Sequence, residues 1–173
     1  TMQTDMLHFK DMVNTLLIID PQNDFCDANG ALSVTGASDD CLRLSNMIRR
    51  LDKQLNTIHV TMDTHHFFHI AHPIFWMDRN GKHPEPYTII TTSMIQAGDF
   101  MASAPQYQHY AIDYVSTLEK TGKYNLCIWP PHCLIGTWGH DIYPPLSLAL
   151  REWESAVPGR IVDYTNKGSN VRT

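Results

Sequence analysis

The sequence predicts a doubly wound α/β fold, in which a mainly parallel sheet carries helices on both faces. Its strand candidates are continuous apolar runs rather than alternating ones, which is typical of strands buried on both faces. Strand and helix patterns also alternate along the 173 residues, as parallel connections require. We treat residues 1–173 as a single domain, because this length is enough for one core and short for two.

Four strands and three helices make up the pattern. Each strand candidate is a short apolar or β-branched run that ends at a proline or a polar residue, and each helix candidate carries apolar residues at helical spacing or lies between helix start and stop signals. Residues 66–124 form an unusually long connection, which we interpret as an insertion that reshapes a pocket mouth or an oligomer contact. The predicted strands are 15–20, 57–62, 125–129 and 160–164, and the predicted helices are 41–55, 117–120 and 146–153.

Charge and hydropathy exclude two classes of partner. Lys and Arg number 13 against 18 Asp and Glu, so the chain lacks the basic surplus with which proteins bind nucleic acid. The longest apolar run, Leu16–Ile19, is far below the roughly 20 residues that span a bilayer, which predicts no membrane segment. The first ten residues lack a secretory pattern, so we expect a cytoplasmic protein. The four cysteines have no regular spacing and are expected as reduced thiols.

Functional groups follow the strand candidates at the points where they end. These groups are Asp20, Asp63 with His65, His132, and Lys167. In open parallel sheets, ligands bind beyond the carboxyl ends of the strands. The sequence therefore predicts that an acid, a cation and a set of metal ligands meet at one edge of the sheet.

The residue types at these ends suit a catalytic metal site. Asp63 and His65 are two residues apart on an extended backbone, and His132 could complete the set from a neighbouring strand. One carboxylate and two imidazoles suit Zn²⁺, Fe²⁺ or Mn²⁺ with positions left open. His72 is a weaker candidate for a fourth ligand. Taken singly, each of these histidines fits a solvated loop residue better than a metal ligand.

Asp20 and Lys167 suit acid–base chemistry. A carboxylate at the mouth of an apolar strand is poorly solvated, which raises its pKa and favours a general base. Capping of the following turn is its structural alternative. Lys167 is either a surface lysine or a fixed cation that pairs with Asp20 and stabilises an anionic nucleophile.

Four motifs together resemble one enzyme family. They are Asp20-Pro-Gln-Asn-Asp-Phe25 with the loop Gly30–Val34, Asp63-Thr-His65, Trp129-Pro-Pro-His-Cys133 followed by Gly136-Thr137, and Lys167-Gly168. In this order and at strand ends, they resemble the isochorismatase-like cysteine hydrolases, and specifically the nicotinamidase-related amidases. The resemblance runs from residue 16 to the last few residues.

The resemblance implies a three-layer αβα sandwich and a hydrolase that cleaves the C–N bond of a small amide. Asp20 would be the general base, Lys167 the catalytic lysine, and Phe25 and Trp76 the aromatic walls of the substrate pocket. In the family mechanism a thiolate attacks the amide carbonyl, ammonia leaves, and water releases the acyl group. The metal ligands would be Asp63, His65 and His132, with zinc the first choice of metal and iron or manganese the others.

Two departures from the family pattern change the expectation. The nucleophilic cysteine of relatives lies well downstream of the Lys-Gly motif, and neither Cys133 nor Cys26 matches its position. We therefore expect a complementing C-terminal fragment or a partner in a homo-oligomer to complete the site. The long insertion leaves the substrate open, so an isochorismatase-type hydrolase with another substrate is an alternative.

Two further hypotheses compete with a thiol hydrolase. A non-catalytic metal- or ligand-binding remnant would keep the metal ligands and lack the nucleophile. Hydrolysis by metal-bound water would need no thiol at all.

Overall fold

The computed structural model describes residues 13–122 and 124–173, which divide into two units. The first unit comprises the described residues up to Asp63 together with Asp141–Lys167, and the second comprises Thr64–His140 and Gly168–Thr173. The first ten residues, for which no secretory pattern was predicted, lie outside the described part of the chain. Among the helices described, none has the length and apolar character that crossing a bilayer requires.

A parallel sheet of three strands organises the first unit. Its strands are β1 (Thr15–Ile19), β2 (Thr57–Asp63) and β7 (Asp163–Lys167), in the order β1-β2-β7. Ile18 is paired with Val60, and Asp63 with Lys167. This arrangement confirms the α/β class with a parallel sheet, and it brings the carboxyl ends of all three strands to the same edge.

Two long helices cover one face of this sheet. Helix α1 (Asn23–Cys26) is a single turn, α2 spans Ala37–Leu51, and α5 spans Pro144–Ala156. The helix α2 has aspartates in its first turn and arginines in its last, as the helix dipole favours. The core beneath the helices includes Ile48, Leu150, Ile18, Ile58 and Val60.

The opposite face of the sheet carries exposed apolar side chains. Along β1, Leu16 and Ile18 point to the core, whereas Leu17 is 57% exposed and Ile19 is 67% exposed. A strand with apolar residues on both faces is typical of a sheet covered on both sides. Within the first unit, the described residues supply only one of the two helical layers that were predicted.

The second unit has a core of its own, built largely from the predicted insertion. It contains β3 (Trp76–Met77), β4 (Ile89–Ile90), α3 (Thr92–Gln96), β5 (Met101–Ala102), α4 (Gln108–Thr121) and β6 (Leu126–Cys127). The pairs β3 with β5 and β4 with β6 are antiparallel. Phe75, Ile90, Val115 and Ile128 are fully buried within this core.

Two strand predictions are wrong in part. The run 125–129 was expected to join the parallel sheet, but only Leu126–Cys127 is a strand, and it pairs with Ile89–Ile90 in the second unit. The last strand was expected at 160–164 and lies at Asp163–Lys167. The apolar residue Val162, which was included in the predicted strand, packs against the core just before the strand begins. The helices also begin earlier than predicted, at Ala37, Gln108 and Pro144.

Gly30, in the loop that follows α1, lies very close to the backbone of that helix. A Cβ atom at this position would lie 2.6 Å from the carbonyl oxygen of Asn23 and closer still to that of Asp24. We expect Gly30→Ala to lower the free energy of unfolding by about 1–3 kcal/mol, because overpacking forces backbone shifts. Urea denaturation measures the change. Ser33→Ala, on the exposed part of the same loop, is the matched control, and an equal effect of the two substitutions would contradict the argument.

Candidate active site

The strand ends of the first unit bring one ammonium group and two carboxylates together. Lys167 Nζ lies 2.7 Å from Asp20 Oδ2 and 3.0 Å from Asp63 Oδ1. Lys167 is opposite Asp63 in the β2–β7 ladder, and Asp20 follows β1 on the other side of β2. The lysine therefore bridges two acids that are 43 residues apart in the sequence.

The conformation of Asp20 is held by the neighbouring strand. Its backbone has φ 50°, a left-handed conformation that aspartate tolerates better than most residues. Its N–H donates to the carbonyl oxygen of Thr61 at 3.1 Å, and the Thr61 hydroxyl donates to Oδ1 at 2.7 Å. The Asp20 side chain is 19% exposed and is therefore partly desolvated. One of its oxygens accepts from Thr61, and the other faces Lys167.

The two acids stabilise the charged form of Lys167. Burial by itself lowers the pKa of this lysine, but the hydrogen bonds and charges of Asp20 and Asp63 outweigh burial and raise the pKa above its usual value. The folded state therefore holds this proton more tightly than the unfolded chain does. The ammonium group is a fixed positive charge throughout the neutral pH range.

A buried glutamine that the sequence reasoning missed fixes Asp63. Gln22 is fully buried, its Nε2 donates to the Asp63 carbonyl oxygen at 2.6 Å, and its Oε1 accepts from the Asp63 N–H at 2.7 Å. This pair of hydrogen bonds ties the loop after β1 to the end of β2. Gln22 lies in the Asp-Pro-Gln segment, so an amide two residues after the acid was the only available signal.

A cavity of about 550 Å³ lies beside Asp20. Its walls include Phe25, Pro21, Val34 and Leu44. The volume is in the range of sites for small molecules, and a mostly apolar lining with a few polar groups, here the carboxylates of Asp20 and Asp40, is typical of such sites. Phe25, predicted as an aromatic wall, thus shares a cavity with the predicted base.

In the second unit, His65 and His132 present one nitrogen each toward a common point. Their ring centres are 4.9 Å apart, and a ring nitrogen of one lies within 4.8 Å of a ring nitrogen of the other. His65 Nδ1 donates to the carbonyl oxygen of Gly168 at 2.8 Å, and His132 Nδ1 donates to that of Pro130 at 2.8 Å. Because a carbonyl only accepts, each Nδ1 is the donor, and in a neutral ring this leaves the lone pair on Nε2. Backbone partners of this kind orient metal-binding histidines, so the pair fits a metal ion.

Two more imidazoles lie next to this pair. The ring centre of His69 is 4.6 Å from that of His65, and the ring centre of His72 is 5.4 Å from it. His69 uses both nitrogens on the backbone, because Nδ1 accepts from the N–H of Ala71 and Nε2 donates to the carbonyl oxygen of Thr173. Burial lowers the pKa of His72 to about 4, so this ring is neutral at pH 7.

Trp76 lies inside the core of the second unit rather than at a surface. It is fully buried, and its Nε1 donates to the carbonyl oxygen of Ile70 at 2.7 Å. Its ring centre is 5.3 Å from that of Phe75. A role for Trp76 as a wall of the substrate pocket stays a prediction.

Comparison with known proteins gives related chains and structures, although no family model matches. The curated nicotinamidase of Saccharomyces cerevisiae is 28% identical over 130 residues, which cover 75% of this chain and 48% of that protein. The solved yeast nicotinamidase bound to the inhibitor nicotinaldehyde has a TM-score of 0.59 at 23% identity, with 91% of this chain and 58% of that one covered. A nicotinamidase/pyrazinamidase of Acinetobacter baumanii has a TM-score of 0.52 at 20% identity, with 91% and 52% covered.

These comparisons show how much of a known protein the chain matches and which fold it shares. The chain spans about half the length of the curated relative it matches. The structural likeness supports the fold that the four motifs predicted, and the sequence similarity is to a protein of the same group. By sequence this chain is similar to a curated nicotinamidase, and by fold it is similar to solved nicotinamidase structures.

Proposed function

We propose that this chain is part of a hydrolase that cleaves the C–N bond of a small amide. The observation that carries the proposal is the contact of Lys167 with Asp20 and Asp63 at the ends of three parallel strands, in a chain similar to a nicotinamidase. An ammonium group in this position can stabilise an anionic nucleophile that has given its proton to Asp20. The ion pair also lies beside a mostly apolar cavity of ligand size, which is a common setting for a small-molecule site.

In this proposal Asp20 removes the proton of a thiol nucleophile, and Lys167 stabilises the thiolate. The thiolate adds to the amide carbonyl, and the C–N bond breaks as the nitrogen takes a proton and leaves as ammonia. Water then cleaves the thioester and releases the carboxylic acid. The thiol comes from a complementing C-terminal segment or from a partner chain, because no cysteine of this chain matches the position of the nucleophile in relatives.

Asp63, His65 and His132 are proposed as ligands of a divalent metal, with zinc the first choice and iron or manganese the alternatives. The orientation of the two imidazoles supports this, and Asp63 precedes His65 by two residues at the end of β2. Such an ion would orient a substrate through a ring nitrogen or carbonyl oxygen. Phe25 would pack against the substrate ring, and the complete protein would be a cytoplasmic oligomer.

An ammonia-release assay on a panel of small amides tests the function. The protein is purified from its own cells, so that a complementing segment stays bound, and intact mass shows whether one is present. We expect ammonia release that iodoacetamide abolishes. Release that resists iodoacetamide but stops on chelation would favour metal-bound water as the nucleophile. No release from any amide, with metal still bound, would favour a non-catalytic binding protein.

Metal analysis tests the proposed ligands apart from activity. We expect His132→Ala to weaken zinc affinity by at least about 10–100-fold, the loss that follows from disturbing even the groups that orient metal ligands. Competition with a chromogenic chelator measures the affinity. His109→Ala, an exposed histidine of the second unit, is the matched control. Equal affinities of the two variants would remove His132 from the ligand set.

A further inference from the structure

The first unit contains two cysteine thiols in contact, and neither has a role in the proposed reaction. Cys26 ends α1 and Cys41 lies in the first turns of α2. Their sulfur atoms are 3.5 Å apart, with the Cys41 thiol donating to the Cys26 sulfur. A disulfide needs about 2.05 Å between its sulfur atoms, so the two atoms would have to approach each other by roughly 1.5 Å.

The same two residues line the cavity beside Asp20. Most of its walls are apolar, including Ile19, Phe25 and Leu44. Its volume of about 550 Å³ leaves room for a small molecule next to the sulfur atoms. Contact between two thiols and access from a cavity are separate observations, and together they distinguish this pair from cysteines that merely fill a core.

We propose that Cys26 and Cys41 form a modification site that undergoes thiol–disulfide exchange with small uncharged disulfides. The Cys41 thiolate attacks one sulfur of the reagent, a mixed disulfide forms, and one thiol leaves with a proton. The Cys26 sulfur then attacks the Cys41 sulfur and displaces the second thiol. The reagent is reduced to two thiols, and the two cysteines are oxidised to one intramolecular disulfide that ties α1 to α2.

Electrostatics favours Cys41 as the first attacking group. When Cys41 is ionised, the Cys26 thiol can become the donor, and this hydrogen bond to the thiolate lowers the pKa of Cys41, outweighing burial and the charge of Asp40, which raise it. The thiolate is the reactive form of cysteine. An apolar lining also favours an uncharged reagent over an ionic disulfide, whose charge would have to be desolvated.

Treatment of the full chain with 2-hydroxyethyl disulfide tests the site. After the reaction the protein is denatured, and the remaining thiols are alkylated and counted by mass spectrometry. We expect two alkylated cysteines instead of four, and a peptide map that links Cys26 to Cys41. Mixed disulfides confined to Cys127, a link between any other pair, or no reaction at native conditions would each overturn the proposal.

Two variants test which cysteines take part in the exchange. Cys127→Ser, at a half-buried cysteine of the second unit, should leave the cross-link unchanged. Cys26→Ser should stop the reaction at a mixed disulfide on Cys41. If Cys26→Ser does not fold, the peptide map of the unaltered chain still decides between the outcomes. A variant that lacks Cys26 and yet loses two thiols to a cross-link would contradict the assignment.

Discussion

Replacing Asp20 with asparagine in the complete protein is expected to lower kcat by roughly 10²–10⁴-fold, the range that general acid–base catalysis supplies. Asparagine keeps the size of the side chain and can still accept from Thr61, but its amide cannot take a proton from a thiol. Lys167→Ala should lower kcat as well, because the fixed cation between Asp20 and Asp63 is lost. Steady-state ammonia release measures both.

The control for Lys167→Ala is Lys82→Ala. Lys82 is an exposed lysine that also forms an ion pair, with Glu85 at 3.1 Å, so its substitution removes the same atoms and the same charge. Because the pKa of Lys167 is raised, its ammonium group stays charged up to at least its ordinary pKa of about 10.5. A loss of activity between pH 8 and 10 should therefore not result from deprotonation of this lysine. Full activity in either Asp20→Asn or Lys167→Ala would contradict the proposed roles.

The part of the site that lies in one sheet could be anticipated from the sequence. Apolar runs ending at Asp20 and Asp63 indicate buried parallel strands, and such strands present their carboxyl ends at a single edge. The contact of Lys167 with both acids follows from this topology, although its strand begins three residues later than predicted. Residue types and strand direction were sufficient, and no exact boundary was needed.

The run 125–129 shows where local pattern fails. A short apolar run does not say which strand it pairs with, and the partner of Leu126–Cys127 turned out to be Ile89–Ile90 within the long insertion. His132 consequently follows an antiparallel pair instead of a strand of the main sheet. Its ring nevertheless meets His65, which pairs through its backbone N–H with the carbonyl oxygen of Cys133.

The contacts of Gln22 and of the two touching thiols could not be predicted from local sequence, for a different reason. The role of a buried amide depends on which backbone groups are left without a partner nearby, and these are fixed only once β1 and β2 are side by side. Likewise, the contact of Cys26 with Cys41 depends on how the single turn of α1 packs against α2. Cysteine spacing could not predict that two of the thiols touch.

Removal of the Phe75 ring should have the largest effect on stability. Phe75 is fully buried in the core of the second unit, and its ring centre lies 5.1 Å from that of Phe68 and 5.7 Å from that of Tyr107. Phe75→Ala removes these contacts and leaves a cavity, which costs about 3–5 kcal/mol for buried phenylalanine. This is a large fraction of the 5–15 kcal/mol typical of whole domains. Urea unfolding followed by circular dichroism measures the change.

Phe67→Ala provides the matched control in the same segment. The Phe67 side chain is 56% exposed, and its carbonyl oxygen, which accepts from His72, remains in the variant. We expect a change within about 1 kcal/mol, since most of the ring already contacts solvent. If the two units unfold in separate transitions, Phe75→Ala should shift only the transition of the second unit, because the core around Ile58 and Val60 does not include this ring. Equal destabilisation by the two substitutions would mean that Phe75 does not anchor the core of this unit.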